Sequence, residues 1–102
     1  MPTGCSKITK IVLPAIRRTI SLELSESGFN QTEIAKALGL AQAAVSKYLS
    51  GNCSESIIKL SDEIRSEGLA KGIIASIKSG KDRKEIDDEI DNLCAVLAAR
   101  SA

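Results

Sequence analysis

Two short helix-forming segments joined at a single glycine, Gly39, restrict this chain more tightly than any other feature of it. Asn30 is a good helix N-cap, and Glu33 stands three places on, where its carboxylate can return to the backbone N–H of the cap. Phe29 before the cap and Ile34 after it have the spacing of a hydrophobic staple. The helix started there presents Ile34, Ala35 and Leu38 inward and ends at Gly39, the corner. Leu40 can pack beneath that corner. A second helix begins at Ala41 or Gln42, is anchored by Val45, Tyr48 and Leu49, and ends at Gly51. Two helices this short, joined by so tight a turn, must cross closely. That needs a small residue at the crossing, here Ala35, and apolar anchors for the second helix, here Leu40 and Val45.

Helical periodicity continues on both sides. Pro14 suits a first helical position, since its ring presets φ and its missing N–H would lack a partner anyway. Ile16, Ile20 and Leu24 then follow at four-residue steps, and Gly28 ends the helix. Before it, Ile8, Ile11, Val12 and Leu13 are expected to pack against the body without an evident cap. Asn52 and Glu55 form a cap-like pair ahead of a fourth helix that faces Ile57, Leu60 and Ile64 inward. Gly68 and Gly72 interrupt helicity, so a fresh short helix carries Leu69, Ile73 and Ile77 and stops near Gly80. Asp82 with Glu85 repeats the capping signature before a last helix over about 83–100. No segment alternates with strand periodicity, and the fold class is therefore all-alpha. With one Phe and one Tyr, the core must be made of Ile, Leu, Val and Ala, which suits closely packed helices. The division expected is residues 1–67 as one helical domain and 68–102 as a helical extension.

Composition excludes several functions. Residues 1–54 carry six Lys or Arg against three Glu, while residues 55–102 carry eight against ten acids. The first half is thus the better candidate for a polyanionic partner, although its excess is small. Cys5, Cys53 and Cys94 are odd in number and far apart, and the chain has no His. They make neither a disulfide framework nor a zinc-finger spacing, and read as reduced cysteines of a cytoplasmic protein. No cofactor, metal or small-molecule ligand is expected, and no apolar run is long enough to span a bilayer. Asp62-Glu63 and Asp87-Asp88-Glu89 read as solvated helix faces, so the chain is not expected to be an enzyme.

What the two short helices leave outside is small or polar: Gln31, Thr32, Gln42, Ala43, Ala44, Ser46, Lys47 and Ser50. A helix lying in the major groove of DNA needs such a slim face, because Gln, Ser, Lys and an Ala methyl can each address base edges. The segment QTEIAKALGLAQAAVSKYLSG, residues 31–51, resembles the helix-turn-helix of the lambda-repressor/Cro-like transcriptional regulators, the XRE family. The matching positions are Gln31, Ala35, Leu38, Gly39, Leu40, Gln42, Val45 and Gly51. The string LPAIRRTI followed by QAAVSKYLSG is similar to a group of archaeal predicted regulators. The resemblance implies a lambda-repressor-like helix-turn-helix bundle that binds double-stranded DNA. It further implies that Gln31 contacts a phosphate, that Gln42 and Ala43 approach bases, and that Ser46 and Lys47 supply further base or backbone contacts. Ser50 and Asn52 match the family's phosphate-clamping end. Ala43 and Ala44 stand where relatives often carry a second polar reader, which shifts readout toward thymine methyls, Lys47 and DNA shape.

Each assignment has a structural alternative. Gln42 is also a helix initiator, Gln31 a cap, and Lys47 a solvated surface lysine. Arg17 and Arg18 either touch flanking phosphates or keep the first helix soluble, and Tyr48 reads as a core residue with a wet hydroxyl. One reading helix covers too few base pairs to select a site, so a homodimer is expected. Ile86, Ile90, Leu93 and Leu97, at steps of four, three and four, are the expected pairing stripe; the alternative is that they cover the chain's own core. A protein-interaction module, an antitoxin or adaptor, is the competing function. It would need larger aromatic or aliphatic anchors on residues 42–50 than this chain has.

Overall fold

In the computed structural model, which describes residues 8–100, the chain turns helical before Pro14. A π-helical turn over Ile8–Val12 runs directly into α1, Leu13–Glu26. The first helix therefore does not begin at Pro14 as the sequence suggests. A proline ring clashes with the carbonyl four residues back in a regular α-helix, and a widened π turn just before it relieves that crowding. Of the leading apolar residues, Val12 is buried and Ile11 and Leu13 are half-buried. Cys5 lies outside the described residues.

Five further helices follow: α2 Gln31–Leu38, α3 Gln42–Ser50, α4 Glu55–Glu67, α5 Lys71–Lys78 and α6 Arg83–Arg100. Among the described residues there is no strand. The capping box before α2 is present in both directions: Glu33 N–H donates to Asn30 Oδ1 at 2.8 Å, and Asn30 N–H donates to Glu33 Oε1 at 2.9 Å. Before α4 the cap is Ser54, whose Oγ accepts from Ile57 N–H at 3.3 Å; Asn52 does not serve. The Asn52 N–H is already committed to Lys47 O, closing the end of α3 at 3.0 Å. Asp82 does cap α6, accepting from Glu85 N–H at 2.9 Å.

Helix α1 is the hub, in contact with every other helix. Its stripe Ile16, Ile20 and Leu24 is fully buried, joined by Val12 and Ala15. Burial over this much of the helix brings polar groups inside. Thr19 Oγ1 lies 2.9 Å from Ala15 O, to which it donates, and 3.0 Å from Ser61 Oγ across the α1–α4 contact. Arg18 Nη1 donates to the same Ser61 Oγ at 2.9 Å, with Asp62 3.7 Å away.

The last helix belongs to this core. Ile86, Ile90 and Leu97 are buried at 2–6% exposure, with Cys94 beside them and Leu93 packed against the cluster. The stripe Ile86, Ile90, Leu93 and Leu97 is therefore not a free dimer seam. An a/d-like pattern looks the same whether its partner is a second chain or the chain's own first helix, and here α6 lies on α1, α2 and the π turn. Residues 68–100 share one core with the rest rather than standing as a separate extension. None of the helices is long and apolar enough to cross a membrane, among the described residues.

Candidate nucleic-acid interface

The corner between α2 and α3 is set by Gly39 at φ +66°, ψ +36°. In this left-handed conformation the chain reverses while the last turn of α2 is closed by Leu40 N–H to Ala35 O at 2.9 Å and Gly39 N–H to Lys36 O at 3.3 Å. A side chain there would be strained, which is why glycine occupies it. Leu40 enters the core edge half-buried. Ile34, Ala35 and Leu38 face inward as their spacing predicts.

Helix α3 rests on the body through Val45, its one buried residue, at 0% exposure. Tyr48 and Leu49 are half-buried at its sides. Everything else is turned out: Gln42, Ala43, Ser46, Lys47 and Ser50 are exposed, and Ala44 is half-buried. A helix seated on Val45, with Leu49 packed at the core edge, leaves Gln42, Ala43, Ser46, Lys47 and Ser50 clear of the body. Its exposed face is narrow because Ala and Ser add little bulk.

Across the corner, Gln31 at the start of α2 lies beside the start of α3, and Thr32 next to it is exposed. Gln42 Nε2 approaches Gln31 Oε1 at 3.5 Å, the outer limit of a hydrogen bond. This brings together two glutamines eleven residues apart. The Gln31 side-chain N–H groups and the Gln42 side-chain carbonyl have no hydrogen-bond partner among the described residues. Asn52, just past α3, is exposed with its side-chain amide free of protein partners among the described residues. Ser50 Oγ donates to Lys47 O at 3.1 Å, so its proton is already used. Lys47 forms no ion pair among the described residues, and Glu33 is the only acid in residues 27–54.

The two arginines of α1 are not part of this face. Arg18 is turned into the α1–α4 contact with only 12% of its side chain exposed. Arg17 is half-buried and lies toward α6, where its charge reaches Cys94. Cys94 itself is buried; burial pushes its thiol pKa up, the Asp91 charge adds to that, and Arg17 opposes both. Cys53 and Cys94 are free thiols.

Beside α3 runs a groove of about 350 Å³ whose wall includes Pro14, Ala44, Lys47, Tyr48, Asn52, Ser54 and Ile57. Pro14, Ser54 and Ile57 carry no sequence signal for such a place. Only the packing of α1 and α4 against α3 brings them there. Compared with known protein families, curated proteins and solved structures, this chain matches none of them.

Proposed function

We propose that this chain is a sequence-specific double-stranded DNA-binding protein that inserts α3 into the major groove, and that it regulates transcription. The observation that supports this best is the exposed, slim, acid-free face Gln42–Ala43–Ser46–Lys47, carried on a helix seated by buried Val45 with half-buried Leu49 beside it and flanked by Gln31. An α-helix fits the major groove, where each base pair presents a distinct donor and acceptor pattern. Gln42 is the base reader, since a glutamine amide can bond an adenine edge through both its donor and its acceptor. Gln31 orients Gln42 and offers its amide N–H groups, with the N-terminus of α2, to a phosphate. Ala43 packs on a thymine methyl. Ser46 and Lys47 extend the contact along the groove, and Asn52 clamps phosphate at the far end. With its proton already donated to Lys47 O, Ser50 is the weaker clamp.

The protein acts by binding, not by catalysis. Two copies on a two-fold symmetric site, with reading helices roughly 34–36 Å apart, give the length of sequence that selection among genomic sites requires. Their contact uses a surface other than the buried stripe of α6. The test is affinity against salt and against base substitution for Gln42→Ala and Lys47→Ala. Loss of Gln42 is expected to cost about 1–3 kcal/mol at one base position while leaving the salt slope unchanged. Loss of Lys47 is expected to reduce the salt slope by about one unit if it neutralises a phosphate, or to relax base preference if it reads an edge. Unchanged binding by both variants on every duplex would overturn the proposal.

A further inference from the structure

We propose that Arg83, the first residue of α6, is a positioning residue for α3: its guanidinium braces the corner at Gly39. The proposal rests on the reading of α3 as the DNA-contacting helix, and extends it by giving the C-terminal helix a part in that site.

Gly39 lies 44 residues from Arg83 in sequence, yet a β-carbon built at position 39 would fall onto the Arg83 guanidinium. The left-handed turn is what calls for glycine, and the space a side chain would take is where the arginine lies. Arg83 is held there from its own helix, with Nε donating to Asp87 Oδ2 at 3.1 Å. One turn further on, Ile86 is 2% exposed, and α6 packs directly on α2. Ile86 also lines a recess of about 230 Å³ with Lys36, Ala37, Ile77, Lys81 and Arg83. The base of the brace is therefore anchored in the core, while its tip crosses the corner.

The position suits a cation. The last turn of α2 ends at Leu38, and a helix C-terminus carries partial negative charge on its free carbonyls. The corner also needs support, because α3 has a single buried anchor and Leu40 is only half-buried. Arg83 itself is 56% exposed, so it contributes little to the core. Its effect falls on the angle and stiffness with which α3 leaves α2.

The experiment compares the full chain with Arg83→Ala and Asp87→Ala by amide hydrogen exchange, without DNA. The reporting amides are Leu40, Ala44 and Val45, which bond to Ala35 O, Ala41 O and Ala41 O across and just after the corner. Both variants are expected to exchange at these three roughly two- to fivefold faster, the range of a partly exposed ion pair, while Ile58 in α4 stays unchanged. A duplex selected by the wild-type protein should bind Arg83→Ala more weakly by a similar factor, with the same salt slope. Unchanged exchange at the corner overturns the brace. A salt slope lower by about one unit also overturns it, because Arg83 would then be touching phosphate directly. If the wild-type protein binds no duplex, the DNA reading of α3 fails, and the exchange measurement still decides whether Arg83 stiffens the corner.

Discussion

Replacing Val45 with alanine should separate the anchoring of α3 from everything else in the fold. Val45 is fully buried and is the only residue of α3 that is. The substitution removes two methyl-sized groups from water-free packing, worth about 0.8 kcal/mol each on transfer. The cavity left beneath α3 adds to that, since the flanking Tyr48 and Leu49 can only partly close over it. Alanine is the better helix former and returns about 0.5 kcal/mol. The net loss is about 2 kcal/mol, a large share of the roughly 5–15 kcal/mol that holds a small domain together. For a domain of this size it should appear as a drop in Tm of roughly 8–16 °C, measured by far-ultraviolet circular dichroism. At temperatures where the variant is still folded, DNA affinity should fall as well, because α3 keeps its exposed face but loses its seat. A Tm shift below about 3 °C would refute the view that Val45 is the main anchor of this helix.

Truncation after Gly80 should abolish cooperative unfolding rather than leave a stable monomer. It removes Ile86, Ile90, Cys94 and Leu97 from the common core, and buried side chains of the larger kinds contribute about 1.5–3 kcal/mol each. A sharp thermal transition in the 1–80 fragment would contradict this. Alkaline pH should also reveal the environment of Cys94. Its pKa in the fold is raised above that of an exposed thiol, so the folded state keeps its proton after the unfolded chain has released it. Stability from this group is therefore intact below about pH 9 and declines as pH rises toward the folded pKa. Cys94→Ala should flatten that part of the stability profile, measured by denaturant titration at several alkaline pH values; an unaltered profile would contradict the assignment.

Much of the local structure was legible in the sequence because it is set by near neighbours. Asn30 with Glu33, Gly39 at the corner, Asp82 with Glu85, and the steps of Ile16, Ile20 and Leu24 all act within a turn or two of helix. Sequence and structure part where distant packing decides. Arg18 looks like an exposed cation on an amphipathic helix until Ser61 of α4 is brought 2.9 Å from it. The stripe of α6 predicts a buried face correctly but cannot identify what buries it. Ser54 rather than Asn52 caps α4 because the helix begins at Glu55, which puts residue 54 at the cap and leaves Asn52 two residues outside it. The exposed face of α3 was readable from side-chain size and polarity. The Arg83 brace was not, since nothing in the local sequence relates residue 83 to residue 39.

What α3 does is decided by whether the Gln42–Lys47 face selects DNA. Selection from a random duplex pool, with the copy number in the winning complex determined by mass, addresses that directly. The expected outcome is a two-fold symmetric motif bound by two copies, its halves about one helical turn apart, with enrichment lost when Gln42 and Lys47 are both alanine. A pool that shows no enriched sequence at any salt concentration, or enrichment that the double variant retains in full, would contradict it.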